Sequence, residues 1–132
     1  MKRGPLMLIV LATCWLAVLP MGAHAEPAAK GGAKMHTYIV FFGFTSEGIR
    51  NIKESPDRVE AAKEVVERMG GHMKAFYGML GSQFDTIFIL DAPDDESVAK
   101  MVLTIASGGN VRTETHRLLT EEEYRKVISE LP

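Results

Sequence analysis

The sequence predicts an α+β fold of the ferredoxin-like type, in which a four-stranded antiparallel sheet carries two crossover helices on one face. Two observations predict it. First, β-branched and aromatic runs alternate with segments of helical periodicity in the order βαββαβ, and one more helical segment follows at the C-terminus. Second, glycines, prolines and acidic clusters separate these segments, as expected of turns and helix starts.

Strand one is predicted over residues 36–44, because their sequence HTYIVFFGF is rich in β-branched and aromatic residues. Ile39 and Phe41 lie on one parity, whereas Tyr38, Val40, Phe42 and Phe44 lie on the other. Both parities are apolar, so we expect neither face of this strand to meet bulk water.

Two helical segments are predicted after strand one. Thr45 or Ser46 is suited to cap a short helix. The main helix is expected to start with Ser55 as its N-cap and Pro56 in the first helical position. Apolar residues then recur every three or four positions until a pair of glycines ends the helix.

Strands two and three are predicted over residues 72–80 and 86–91, on either side of the pentapeptide GSQFD, whose length and glycine suit a hairpin loop. Pro93 followed by three acids predicts the next helix start, where the acids complement the positive end of the helix dipole. This acidic cluster is therefore explained without a metal ion. Strand four is predicted over residues 110–118.

The last helix is predicted from a capping box formed by Thr120 and Glu123. Its apolar stripe consists of Tyr124, Val127, Ile128 and Leu131. The two crossover helices cover only one face of the sheet, and the second apolar face needs another cover. A second subunit is one such cover, and the C-terminal helix folded back over the sheet is the alternative. We favour a second subunit, which predicts a homodimer or higher homo-oligomer.

Residues 1–25 have the anatomy of a secretory signal peptide, with a positive start, an apolar run over residues 6–19 and Ala-His-Ala before the cleavage point. Cleavage after Ala25 predicts a periplasmic or secreted protein without a membrane segment. An uncleaved anchor fits less well, because a spanning helix needs about 20 apolar residues. Lipidation at Cys14 also fits less well, because Thr13 precedes the cysteine where glycine or alanine is expected.

After cleavage, residues 26–35 are predicted to be a disordered leader, and residues 36–131 to be a single domain. The only cysteine leaves with the signal peptide, so stability must come from packing or assembly without disulfides. The formal net charge of −2 becomes more negative when two basic residues of the signal peptide are removed. An acidic chain argues against nucleic acid as a partner.

Four stretches, TYIVFFGFTSEGIRNIKESPDR, KAFYGMLGSQFD, LDAPDDES and GNVRTETHRLLTEEEY, together resemble the GYD-domain family of the dimeric α/β-barrel superfamily. The resemblance runs over residues 36–131. In the Gly-x-Tyr-Asp motif, Phe84 stands at the tyrosine and Asp85 at the aspartate, so one phenolic donor and acceptor is lost. The resemblance implies the ferredoxin-like fold and a homo-oligomer, and it implies no particular reaction.

Strand four carries the best polar constellation, because Arg112, Glu114 and His116 share a parity and so line one face. In a small catalytic site, the arginine would bind a carboxylate or phosphate, and the glutamate and histidine would transfer protons. A ladder of charges facing solvent or a second subunit explains the same pattern, and we favour it. Asp85 is the second candidate, as a general base or, as we favour, a turn residue bonded to the loop backbone.

The candidate ligand contacts are the aromatic residues Tyr38, Tyr77 and Phe84, with core packing as their alternative and favoured role. The mature chain has three histidines and no cysteine, none of them at metal-ligand spacing. It also has no phosphate-cradling glycine motif and no nucleophile elbow. We therefore expect no metal and no cofactor.

Two functions remain open. The first is an exported homo-oligomer that binds a small ligand, with cofactor-free acid/base or oxygen chemistry as its enzymatic form. The second is a non-catalytic assembly or interaction module. Pocket geometry separates them, because Asp85, Arg112, Glu114 or His116 around a void would indicate the first. A filled interior with those side chains in bulk water would indicate the second.

Overall fold

A computed structural model describes residues 34–132, and the predicted signal peptide and most of the predicted leader lie outside the described residues. The elements are β1 His36–Phe44, α1 Ser46–Arg50, a 3-10 turn Ile52–Glu54, α2 Ser55–Arg68, β2 His72–Gly78, β3 Thr86–Ala92, α3 Asp95–Ala106, β4 Val111–Leu118 and α4 Glu121–Ser129. This order agrees with the predicted one, and the capping box of Thr120 and Glu123 is confirmed at the start of α4. None of the helices within residues 34–132 combines the length and hydropathy needed to cross a bilayer.

The four strands form one antiparallel sheet in the order β2-β3-β1-β4. This order is that of the ferredoxin-like fold, so the predicted fold class is confirmed. Thr37 of β1 pairs with Asp91 of β3 and with Leu118 of β4, which fixes the register of the central strands. β1 and β3 are therefore central, and β2 and β4 are the two edges.

The hydrophobic core lies between the sheet and helices α2 and α3. Its most deeply buried side chains are Val40, Val66, Leu90 and Met101, one from each of β1, α2, β3 and α3. Gly71 lies at the end of α2, where an added Cβ would meet Val66 at 2.8 Å and Met101 at 2.9 Å. A larger residue there would have to displace the core, so the glycine allows the chain to turn tightly into β2.

Helix α2 begins one residue earlier than the sequence predicts. Glu54 is the N-cap and makes no side-chain capping bond, whereas Ser55 already has helical angles of −56° and −40°. The prediction of Ser55 as N-cap was wrong, because the preceding 3-10 turn delivers the chain to α2 in a helical conformation. An N-cap residue normally has extended backbone angles, and Ser55 cannot adopt them while it continues the helical turn before it.

Strand β2 is shorter and less regular than predicted. It ends at Gly78, and the amide of Met79 still donates to the carbonyl of Asp85 at 2.7 Å where the chain enters the loop. The pairing register with β3 also shifts between Met73 and Ala75, which places a β-bulge at Lys74. The alternation of the sequence in this region is too weak to predict either feature.

The second face of the sheet is open. Its apolar side chains are only partly buried, in contrast to the core side of the same strands, and they are Ile39, Phe41, Ile87 and Ile89. Helix α4 does not bury its own stripe on the sheet, since Tyr124, Val127, Ile128 and Leu131 are 47–61% exposed. The alternative in which the C-terminal helix covers the open face therefore does not describe this chain.

Candidate functional site

A cavity of about 310 Å³ lies between α2, the C-terminal end of α3 and the helix-covered face of the sheet. Most of its lining is apolar, and the polar groups come mainly from the first turn of α2 and the segment from the end of α3 to β4. The lining residues are Phe42, Phe44, Ser55, Arg58, Val59, Ala61, Ala62, Val65, Thr86, Phe88, Thr104, Ile105, Ser107, Gly108, Asn110 and Val111.

Helix α1 is in close contact with the turn before β4, next to Asn110 of the cavity lining. An added Cβ on Gly48 would lie 2.1 Å from the carbonyl oxygen of Asn110. The same oxygen accepts a hydrogen bond from the amide of Thr45 at 3.0 Å, and the Thr45 hydroxyl donates to the carbonyl of Gly109 at 2.7 Å. The main chain of these two segments is therefore held together at contact distance.

Arg58 is the charged residue among those that line the cavity. Its Nη1 donates to the carbonyl of Asn51 at 2.9 Å, and its Nη2 donates to the carbonyl of Gly48 at 3.2 Å. The Glu54 carboxylate lies 3.6 Å from Nη1 but is 70% exposed, whereas the Arg58 side chain is 24% exposed. Water therefore screens the acid much more than it screens the guanidinium.

Arg112 anchors the loop between β2 and β3 on the open face of the sheet. Its Nη2 donates to the carbonyl of Gln83 at 2.8 Å, and its guanidinium carbon lies 5.2 Å from the centre of the Phe84 ring. Phe84 is 7% exposed, and its ring lies 5.2 Å from that of Phe41 of β1 at an angle of 38°. The guanidinium and the aromatic ring thus form a cation–π contact that fixes both side chains, and both have a structural role.

Asp85 ties the same loop to strand β1. Its Oδ2 accepts a hydrogen bond from the amide of Phe44 at 2.7 Å, and its own amide donates to the carbonyl of Phe42 at 2.8 Å. The side chain therefore bonds to the backbone of strand β1, whereas the sequence analysis expected its partner to be an amide of the loop.

Replacing Asp85 with alanine is expected to lower the free energy of unfolding by about 1–3 kcal/mol, because the Phe44 amide loses its acceptor. Asp85→Asn keeps an acceptor oxygen and is expected to cost about 1 kcal/mol. Urea unfolding at neutral pH measures both, with Glu64→Gln on the exposed side of α2 as the control. An Asp85 variant more stable than the parent chain would contradict this role.

Glu114 and His116 form a pair on the open face. Their Oε1 and Nε2 atoms are 2.7 Å apart, and both side chains are about half exposed, at 49% and 53%. The ring of His116 meets Phe41 edge-on at 5.9 Å. Within residues 34–132, no group of three or more His, Cys, Asp or Glu side chains is arranged to hold a metal ion.

The two candidate tyrosines lie on opposite faces of the sheet. Tyr38 is 2% exposed and its hydroxyl donates to Asp95 Oδ1 at 2.5 Å, which ties β1 to α3. Burial and this hydrogen bond raise the pKa of Tyr38 to about 12. Tyr38 also lines a second cleft of about 500 Å³ with Arg117 and the side of α3. Tyr77 is 58% exposed on the open face.

The predicted site residues therefore do not converge on a cavity. Arg112, Phe84 and Asp85 meet at the loop, Glu114 and His116 pair beside them, and the cavity lies across the sheet from all five. Sequence reasoning missed Arg58 because it is one of many charged residues on α2. One signal was Ala62, whose small buried side chain leaves space between α2 and the sheet.

A family model for the GYD domain matches residues 38–128, which is most of the described chain. The chain belongs to the GYD-domain family. The family predicted from the resemblance is therefore confirmed. Over 82 residues, this GYD-domain protein is 33% identical to the "Glutamine synthetase and cystathionine beta-lyase binding protein" of Thermus thermophilus, covering 61% of this chain and 85% of that relative.

Solved structures similar to this GYD-domain protein share its fold. The feast or famine regulatory protein of M. tuberculosis, in complex with L-methionine, superposes with a TM-score of 0.51 at 17% identity over 75% of this chain and 58% of the regulator. Ribosomal protein S6 of Thermotoga maritima superposes with a TM-score of 0.50 at 16% identity, over 74% of this chain and all of S6. Both are ferredoxin-like, and at this identity the likeness concerns the fold alone.

Proposed function

We propose that this GYD-domain protein binds a small molecule in the cavity between α2, α3 and the sheet. The observation that carries the proposal is the cavity itself, whose volume of about 310 Å³ lies at the lower end of the range of small-molecule sites. Its apolar wall and few polar groups match the composition of such sites, in which apolar contacts supply affinity and polar groups set orientation.

The residues that line the cavity favour binding without catalysis. None of those described carries a carboxylate or an imidazole, so the cavity has no evident group for proton transfer at neutral pH. Acid/base or oxygen chemistry without a cofactor would have to use the Glu114 and His116 pair on the open face. That pair becomes enclosed only if a second subunit covers the face.

The open face supports assembly of a homo-oligomer through the sheet. Its apolar centre is flanked on one side by Glu114 and His116, and on the other by Asp91, whose carboxylate lies 3.4 Å from Lys74. An apolar centre with a polar rim is the usual composition of a protein interface. A second copy presents the same surface and can meet it about a two-fold axis.

Export completes the proposal. It is supported by the basic start, the apolar run and the Ala-His-Ala sequence of residues 1–25. The mature protein would begin at Glu26 in the periplasm or outside the cell.

Native mass spectrometry of the protein purified from its own periplasm tests the three parts together. We expect a subunit that begins at Glu26, a dimer or higher homo-oligomer, and a small molecule that dissociates on activation. Ile89→Glu should break the assembly, because it places a charge at the centre of the open face. Leu103→Glu changes an apolar residue of α3 that is 69% exposed, and should leave the assembly intact. A ligand-free monomer would contradict both binding and assembly, and an unprocessed chain would contradict export.

The name of the Thermus relative favours a second candidate function, namely binding to another protein. The exposed apolar stripe of α4 is a surface that such an interaction can use. Calorimetric titration of this chain with glutamine synthetase from its own organism tests the candidate. Heat of binding that disappears in Val127→Lys would support it, and no heat with the parent chain would contradict it.

A further inference from the structure

The cavity has one charge and a long apolar wall, and this combination selects a ligand class within the proposed small-molecule function. The other polar residues of its lining, such as Ser55, Thr104 and Asn110, are neutral. Arg58 is therefore the one lining residue that distinguishes an anion from a neutral molecule of the same shape.

Arg58 also has hydrogen-bonding capacity left for a ligand. A guanidinium has five N–H groups. Carbonyl oxygens of Gly48 and Asn51 accept from two of them within the described residues, and they fix the position of the group. Since Glu54 is mostly in solvent and 3.6 Å away, it neutralises the guanidinium only weakly.

The apolar wall sets the size of the ligand. Val59 and Val65 of α2, Phe88 of β3 and Ile105 of α3 all contribute to it. If a ligand atom takes about 30 Å³, as a water molecule does in the liquid, the cavity holds roughly ten non-hydrogen atoms.

We infer that the cavity binds an amphipathic carboxylic acid of about ten non-hydrogen atoms, with its apolar body against this wall and its carboxylate on Arg58. The inference rests on the proposed small-molecule function. Arginine and a carboxylate form paired charge-assisted hydrogen bonds, and a partly buried site strengthens them relative to water. The apolar body is bound by burial of its surface.

Octanoate and octanamide provide the test, because they have the same number of non-hydrogen atoms and differ in charge. Heteronuclear NMR titration of the purified protein gives the affinity and the position of each ligand. We expect octanoate to bind at least tenfold more tightly than octanamide, with shifts at Ser55, Ile105 and Asn110. In Arg58→Gln the two affinities should become equal, whereas Arg68→Gln on the exposed end of the same helix should preserve the difference.

Two further variants separate the role of the charge from effects on folding. Arg58→Lys keeps the positive charge and should retain most of the preference for octanoate. Ala61→Leu places a larger side chain at the cavity wall and should weaken both ligands alike.

The outcomes distinguish the two levels of the proposal. Equal affinities in the parent chain would overturn the carboxylate inference and leave small-molecule binding intact. Octanoate shifts at Arg112 or Arg117 instead of the cavity would also overturn it. If neither probe binds, the inference fails. If, in addition, no small molecule accompanies the native protein, the proposed function fails as well.

Discussion

Truncation of Phe88 to alanine is expected to lower the free energy of unfolding by about 3–5 kcal/mol, the range found for large aromatic residues in protein cores. Phe88 is 2% exposed, and its ring meets Phe42 at 4.8 Å and Phe76 at 5.8 Å in edge-to-face contacts. The truncation removes both contacts and enlarges the cavity between α2, α3 and the sheet, because Phe88 is one of its lining residues. Urea unfolding followed by circular dichroism measures the loss.

Phe76→Ala is the matched control. Phe76 lies on the edge strand β2, is 37% exposed, and shares one of the two ring contacts. Its truncation is expected to cost about 1–2 kcal/mol, because less surface leaves water and the site can relax. If the loss in free energy of unfolding at Phe88 is no larger than that at Phe76, Phe88 does not contribute to stability as a core residue.

Replacement of Gly48 with alanine is expected to lower the free energy of unfolding by about 3 kcal/mol, the upper part of the usual range for overpacking. The new methyl group would lie 2.1 Å from the main-chain oxygen of Asn110, which cannot move without straining its bond to Thr45. Because Arg58 donates to the carbonyl of Gly48, the change should also weaken the octanoate binding that we infer above. Thermal and urea unfolding measure the stability, and the NMR titration measures the binding.

Gly78→Ala is the control for Gly48→Ala, because an added Cβ at Gly78 meets no atom within 4 Å. Its effect should lie within about 0.5 kcal/mol of zero. A cost below about 1 kcal/mol at Gly48 would contradict this expectation, and would mean that α1 and the turn at Asn110 separate easily.

The sequence predicts the fold well because the decisive signals are local. Strand β1 needed only its β-branched and aromatic residues, and the start of α4 needed only the capping residues Thr120 and Glu123. The predictions were wrong where a neighbouring segment decides the outcome. The 3-10 turn before Ser55 removed its capping role, and β2 ended at Gly78, where the chain turns into the loop before β3.

The candidate site was less predictable, because a cavity is a property of how separate elements meet. Arg112, Glu114 and His116 share one parity of β4, and the structure places them on one face as predicted. The cavity instead depends on the distance between α2 and α3, which no local pattern specifies. Arg58 acquires its position from carbonyls of α1 and the residue that follows it, and its sequence environment resembles that of any charged residue on a helix.

The bulge at Lys74 has a consequence for how far self-association can proceed. A sheet with two regular free edges can recruit further strands without limit and grow into fibrils. In this chain the bulge interrupts the ladder of β2, and a lysine is the residue at the interruption. The opposite edge strand, β4, carries alternating charges at Arg112, Glu114 and Arg117. Neither edge therefore offers a regular ladder to a further strand, and the face-to-face assembly proposed above would not continue into a fibril along the sheet edges.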